Sequence, residues 1–155
     1  MLIRPHRPDD LPTLRAIAAA AFAPVVAGLR DRVGPGLAPA AFGAAEAMQA
    51  GRLDALATQG ELLVAEIDGA LVGFAGLVVQ GSLGELELNA VHPDHQRRGV
   101  GRALTSAALD RLRTLGAEVA SVATGTDAGH APALAAYRAA GFGAEIAAVR
   151  LYRAL

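Results

Sequence analysis

The sequence predicts an α+β domain, a mixed and mostly antiparallel sheet flanked by helices, in the order β-α-α-β-β-β-α-β-α-β-β over residues 1–155. Three observations carry this. Strand-length apolar runs crowd between Glu61 and Val91, separated by tight-turn residues. Val100, Leu104, Ala108, Leu112 and Leu115 then recur at helical spacing. A further apolar run, Ala117 to Thr124, follows that helix, and strand–helix–strand is the pattern of a parallel crossover.

The elements follow in order. Leu2-Ile3-Arg4 reads as a strand stopped by Pro5 and Pro8. Asp9 and Asp10 offer N-caps, and Pro12 is tolerated in a first helical turn. Leu14, Ile17, Ala18 and Ala21 give a helix to about Phe22. Pro24 to Pro39 is the least regular stretch, and Ala40 to Ala57 reads as a second helix with a weak break near Gly51. Leu62–Ile67 and Leu71–Val79 are strands joined by Asp68-Gly69, a two-residue hairpin pair. Glu85 to Val91 alternates, placing Leu86 and Leu88 on one face and Glu85, Glu87 and Asn89 on the other. Gly116 is a natural end for the helix that follows. Pro132 to Ala140 is a short helix, and Phe142 to Leu155 is expected as a terminal pair of strands.

Composition narrows the function. The length fits one domain. Hydrophobic residues make up 53% but aromatics only 4%, so the core packs many small groups. Fourteen Arg, no Lys and 15 acidic residues leave a net charge of −1, against a binder held to nucleic acid by charge. The absence of Cys excludes disulfides, thiolate metal sites and Cys nucleophiles. No apolar leader follows the N-terminus, and the Ala16–Ala27 run is broken by Pro24 and short for a bilayer. A soluble, cytoplasmic protein with no membrane partner is expected.

The sharpest chemical feature is Gln96-x-x-Gly99-x-Gly101, placed between a strand and a helix. Glycines at a helix start let backbone N–H groups approach an anion, and the helix end adds partial positive charge. Arg97, Arg98 and Arg102 surround the same point, and a pyrophosphate is the natural guest. The segment is not a dinucleotide fingerprint, since Leu104 stands where a third Gly belongs, and it lacks the Gly-Lys-Ser/Thr of a Walker A loop. His92 and His95 flank Asp94, but a metal there would compete with an anion at the adjacent turn, so none is expected.

The string from Val91 to Leu104 resembles the acetyl-CoA-binding motif of the GNAT superfamily of N-acetyltransferases, Gln/Arg-x-x-Gly-x-Gly/Ala after a strand end. Tyr137-Arg138-Ala139-Ala140-Gly141-Phe142 is similar to the family's Tyr-x-x-x-Gly-Phe segment. Ile3-Arg4-Pro5 with Asp9-Asp10-Leu11 is similar to its opening. The resemblance spans essentially the whole chain, as one GNAT domain. It implies acetyl-CoA as cosubstrate, with no metal. The backbone of Ala90 and Val91 would pair with the pantetheine arm, the Val91 N–H serving as oxyanion donor. Gln96, Arg97, Arg98, Gly99, Val100, Gly101 and Arg102 would cradle the pyrophosphate. Tyr137 falls where the family places a general acid for the departing thiolate. Glu85 matches the strand glutamate that acts as base in the histone-acetylating branch, and Glu87 lies nearer the strand end. Either would work through a water, or both would bind a cationic acceptor without proton transfer. Seven residues before the Tyr many members carry Asn, where this chain has His130, which would contact CoA or carry a proton.

The reading is an acetyl-CoA-dependent N-acetyltransferase, with direct attack by a primary amine in a ternary complex. A non-catalytic acyl-CoA-binding sensor on the same fold is the alternative. Phe22 to Phe42 and Glu145 to Tyr152 would shape the acceptor cleft. Their acidic groups are few, Asp31 and Glu145, which argues against a polycation and permits a small amine, an amino acid or a peptide N-terminus. Homodimers built through a strand edge or the C-terminal hairpin are common in such folds.

Overall fold

The computed structural model describes all residues 1–155. Five strands form one sheet: β1 (Leu2–Pro5), β2 (Glu61–Ile67), β3 (Ala70–Gln80), β4 (Leu83–Val91) and β5 (Val119–Val122). Their spatial order is β1-β2-β3-β4-β5. The first four pair antiparallel, while β4 and β5 are parallel. Five helices complete the chain: α1 (Leu11–Val33), α2 (Ala38–Phe42), α3 (Ala45–Gln59), α4 (Val100–Thr114) and α5 (Ala131–Ala139). The expected meander and crossover are both present. Asp68 and Gly69 have φ of 51° and 81°, the conformation of a tight hairpin turn.

The sheet separates two cores. On one face, Leu14, Ile17 and Ala18 of α1 and Leu53 and Leu56 of α3 pack on Leu62, Val64, Phe74, Leu88 and Ala90. On the other, Val100, Leu104, Ala108 and Leu112 of α4 pack on Leu63, Ala65, Val72, Ala75, Leu77 and Leu86. Phe74 and Leu104 are fully buried. A buried leucine or phenylalanine contributes about 1.5–3 kcal/mol over its exposed state, so the two helix layers clamp the sheet from both sides. The β1 end is tied down by Asp10, which is 8% exposed. It accepts from both terminal nitrogens of Arg4 at 2.7 and 3.1 Å and from the Arg7 N–H at 2.7 Å.

Several expectations are corrected. Helix α1 does not stop near Phe22 but runs through Pro24 to Val33. Proline inside a helix costs a hydrogen bond and a clash, yet the alanines before it favour helix and Val26 beyond it is buried, anchoring the second half. By length and hydropathy alone α1 could cross a membrane, although Leu14, Ile17 and Ala18 are spent on the sheet. The second helix is two, divided at Gly43-Ala44 rather than at Gly51. The terminal pair of strands is not formed. Residues 143–155 carry no ladder, and Ile146, Val149 and Leu151 are exposed. Alanine supplies four of those thirteen positions and favours strands weakly, while β5, the edge they would extend, has four residues. The tail is held by side chains instead, Arg138 donating to Glu145 at 3.0 Å and Tyr152 lying 5.7 Å from the Phe42 ring. The two segments expected around the acceptor cleft therefore meet.

Candidate active site

The site forms where β4 and β5 part. Their parallel ladder ends at Leu86↔Val122, while β4 continues to Val91. Beyond that point one edge of β4 is open. Which of its backbone groups face the opening follows from the register. The His92 N–H donates to the Val72 carbonyl at 2.8 Å, and Val91 stands opposite Gly73. In an antiparallel ladder hydrogen-bonded and non-hydrogen-bonded pairs alternate. Ala90 therefore spends its N–H and C=O on Phe74, whereas Asn89 and Val91 turn theirs to the open edge. The expectation that Ala90 pairs with the pantetheine arm is corrected on this ground: its neighbours Asn89 and Val91 carry the outward groups.

A bulge sets the side chains. Gly76 pairs with Leu88 and Leu77 with Leu86, so Glu87 is an extra residue in β4. Leu86 then belongs to the α4 core and Leu88 to the α1/α3 core. The expected sharing of one face by these two leucines is overturned by that insertion. Glu85 stands opposite Val78, which packs on the α1/α3 side. Glu87 points the same way, accepting from Arg52 Nε of α3 at 3.1 Å. Asn89, opposite Ala75, falls on the α4/α5 face.

Tyr137 is brought to that second face by α5. Its ring meets Phe142 edge-on, with centroids 5.9 Å apart, and packs on the α4 core. Burial pushes its hydroxyl above the ordinary tyrosine range, with the Asn89 side chain opposing that shift. The hydroxyl is protonated at neutral pH, as an ordinary tyrosine's is, and the upward shift makes it a weaker acid than a free one. Sequence reading missed Asn89 as a site residue, because only the bulge separates it from the two glutamates.

The anion cradle follows the strand. Gln96 Nε2 donates to the Val91 carbonyl at 3.1 Å, tying the loop to the end of β4 rather than reaching outward. Arg97 and Gly99 adopt φ of 62° and 82°, and a Cβ at Gly99 would meet nothing within 4 Å. The Ala103 N–H to the Gly99 carbonyl, 3.0 Å, is the first bond of α4, so the N–H groups of Val100, Gly101 and Arg102 have no partner inside the helix. Arg97, Arg98 and Arg102 make no ion pair within the chain. A run of free amides at a helix start, with three unpaired cations, fits a pyrophosphate. A cavity of about 370 Å³ lies elsewhere, between Leu109, Ala120 and Ala140–Ala144, and touches none of these residues.

His130 caps α5 at the far end from Tyr137, its Nδ1 2.6 Å from Asp127 Oδ2.

The fold and this strand edge beside a glycine cradle define a mixed-sheet domain with an anion-accepting helix start. Residues 37–142 match the profile of the Acetyltransferase (GNAT) family, and the chain belongs to that family. It is 43% identical over 81 residues to a mycothiol acetyltransferase of Clavibacter michiganensis and 42% identical over 90 residues to one of Sanguibacter keddieii. These matches take in 52% and 54% of this chain but only 26% and 28% of those proteins. A GNAT acetyltransferase from Brucella melitensis, solved with acetyl-CoA, superposes with a TM-score of 0.65 at 27% identity, over 92% of this chain and 82% of its own.

Proposed function

We propose that the protein is an acetyl-CoA-dependent N-acetyltransferase acting on a small primary amine, by direct attack in a ternary complex. The observation that carries this is the open edge of β4, whose outward amides at Asn89 and Val91 lie between the Gly99 cradle and Tyr137. Bound acetyl-CoA would supply an activated acyl group. The amides from Arg97 to Arg102 bind its pyrophosphate, and the β4 edge aligns the thioester. Because Tyr137 sits beside Asn89, the Asn89 N–H is the oxyanion donor nearest the acid, with the Val91 N–H further along the strand. Tyr137 protonates the leaving thiolate.

Glu85 and Glu87 lie on the opposite face of β4 from Tyr137, so amine and thiolate use different sides of one strand. Arg52 already occupies the Glu87 carboxylate. Glu85, which makes no ion pair in the chain, is the carboxylate left to draw in a protonated amine and orient it, with most of the rate arising from positioning. The likeness to mycothiol acetyltransferases supports a small-molecule acceptor rather than a protein.

The test is calorimetric titration with acetyl-CoA and with dephospho-CoA, on the native protein and on Gly99→Glu. Binding by the native protein that the variant abolishes supports the cradle. An amine panel then follows: glucosamine, an alanyl dipeptide, cysteine methyl ester and mycothiol lacking its acetyl group. Binding with no turnover on any amine would favour an acyl-CoA sensor. No binding of any CoA species would sink the proposal.

A further inference from the structure

We infer that Asp127 and His130 form a proton-accepting dyad for the acceptor amine, with Asp127 positioning the imidazole and His130 Nε2 taking the proton. This rests on the transferase reading above and deepens it.

The geometry is specific. Asp127 Oδ2 lies 2.6 Å from His130 Nδ1, and its other oxygen accepts from the Gly129 N–H at 3.0 Å. The His130 N–H closes the same turn on the Asp127 carbonyl at 3.0 Å. Both side chains are shielded, at 24% and 19% exposed for His130 and Asp127. The ring and carboxylate lie directly over Gly125, where a Cβ would collide with both. Asp127 is thus held on two sides before it meets the ring.

A carboxylate accepts and cannot donate, so neutral His130 carries its hydrogen on Nδ1. The lone pair is then left on Nε2, at the opposite edge of the ring. Nε2 has no hydrogen-bond partner within the chain and is not sealed from solvent. An imidazole fixed in this way, with a carboxylate to stabilise the cation it becomes, is the arrangement of a general base.

Its position is the second argument. His130 and Tyr137 are seven residues apart across α5, two turns and the same helix face. Helical side chains lean toward the N-terminus, so Tyr137 leans toward His130. A Cβ at Gly129 would come 3.8 Å from Val25 Cα of α1. The 125–130 loop therefore touches α1 at Val25 while it heads α5, so the dyad stands between those two helices with Tyr137 as its neighbour along α5.

The step balances as follows. His130 Nε2 takes one proton from the ammonium group and the freed lone pair forms the C–N bond. The C–S pair leaves on sulfur, and Tyr137 protonates it. The second amine proton returns through water to Tyr137, and the proton on His130 goes to solvent.

The experiment uses long-range proton–nitrogen NMR on the full chain labelled with ¹⁵N histidine, His130 being assigned by its loss in His130→Gln. Nδ1–H with a bare Nε2 is expected in the native protein, and a shift toward Nε2–H in Asp127→Asn. With acetyl-CoA and the best amine of the panel, His130→Gln should lower kcat on the order of 100-fold, with acetyl-CoA affinity within about twofold. Asp127→Asn should lower kcat about tenfold alone and cost nothing further in the His130→Gln background, because it acts through the ring. An Nε2–H tautomer in the native protein overturns the inference, as does an equal cost of Asp127→Asn in both backgrounds. A loss of acetyl-CoA affinity with kcat unchanged overturns it too, and assigns His130 to cofactor contact. A native protein that binds no acetyl-CoA or acetylates no amine overturns the transferase reading and the dyad's role with it. The NMR result stands apart from turnover, so the two failures are told apart.

Discussion

Gly73→Ala should damage both stability and transfer, and the structure gives the size. Gly73 sits on β3 opposite Val91, at the open end of β4. A Cβ there would lie 2.8 Å from the Ala90 carbonyl oxygen, 3.1 Å from Leu104 Cδ1 and 3.3 Å from Val91 Cγ2. A relaxed C···O contact is about 3.3 Å or more, so β4 must move by about 0.5 Å. Leu104 is fully buried and cannot swing clear. Overpacking costs about 1–3 kcal/mol and weakening the Phe74–Ala90 bonding about 1 more. The stiffer unfolded chain returns about 0.4–1. The net is a loss of about 2 kcal/mol, or about 4–8 °C in Tm for a chain of this size. The same movement displaces the Asn89 and Val91 amides, and a 1 Å misplacement costs about 100-fold, so kcat/KM should fall about tenfold. Thermal melts and steady-state kinetics read both. A variant within 1 °C of the native Tm, at native kcat/KM, would refute the close approach of β3 to β4 and the use of that edge. The same substitution at Gly28, exposed on α1 with nothing within 4 Å of its Cβ, should instead stabilise by about 0.5–1 kcal/mol.

Other outcomes follow from the same geometry. Asp10→Ala strips Arg4 of two hydrogen bonds and the Arg7 N–H of its acceptor, and should cost about 2–3 kcal/mol in urea melts at pH 7. The Arg4 guanidinium holds the Asp10 carboxyl below its usual range, so its contribution is present above about pH 4 and fades as pH falls through the lowered value. The gap between native and variant should narrow in acid. Tyr137→Phe should lower kcat about 100-fold without changing acetyl-CoA affinity, and the native rate should show no alkaline fall below about pH 10, since burial raises the hydroxyl's ionisation. Glu87→Gln and Glu85→Gln should raise the KM for the amine several-fold with kcat nearly kept. A large loss in kcat with KM unchanged would make one of them the base and leave His130 a bystander.

The meander, the crossover helix and the glycine cradle were legible because each depends on neighbours in sequence. Asp68-Gly69 names its own turn, and the α4 stripe names its own face. What escaped depends on a partner strand or a distant helix. The alternation through Glu85, Glu87 and Asn89 reads as one face, and only the pairing of β4 with β3 reveals that Glu87 is an extra residue. Asn89 went unnoticed for the same reason. Pro24 reads as a stop, yet Val26 is held by burial no local rule reports. The terminal strands were expected from scattered branched residues in an alanine-rich tail, too weak a signal to pair on a four-residue edge. Asp127 is the exception, a local partner three residues from His130, because the contact depends on the turn's geometry and not on the spacing alone.

The bulge at Glu87 behaves as a phase shift in a two-state code. Upstream of it, even-numbered residues of β4 belong to the layer of α4; downstream, they belong to the layer of α1 and α3. The acid side of the reaction and the amine side are thereby assigned by parity. Deleting that one residue would close the bulge and leave Leu88 opposite Gly76 and Asn89 opposite Ala75, each on its present face. Only a one-residue slip of β4 against β3 would carry Asn89 away from Tyr137 and Leu88 out of the core it fills. The sides of the sheet on which the proposed acid and amine lie are thus held by the pairing with β3, and the bulge is what lets the numbering of β4 change phase without disturbing it.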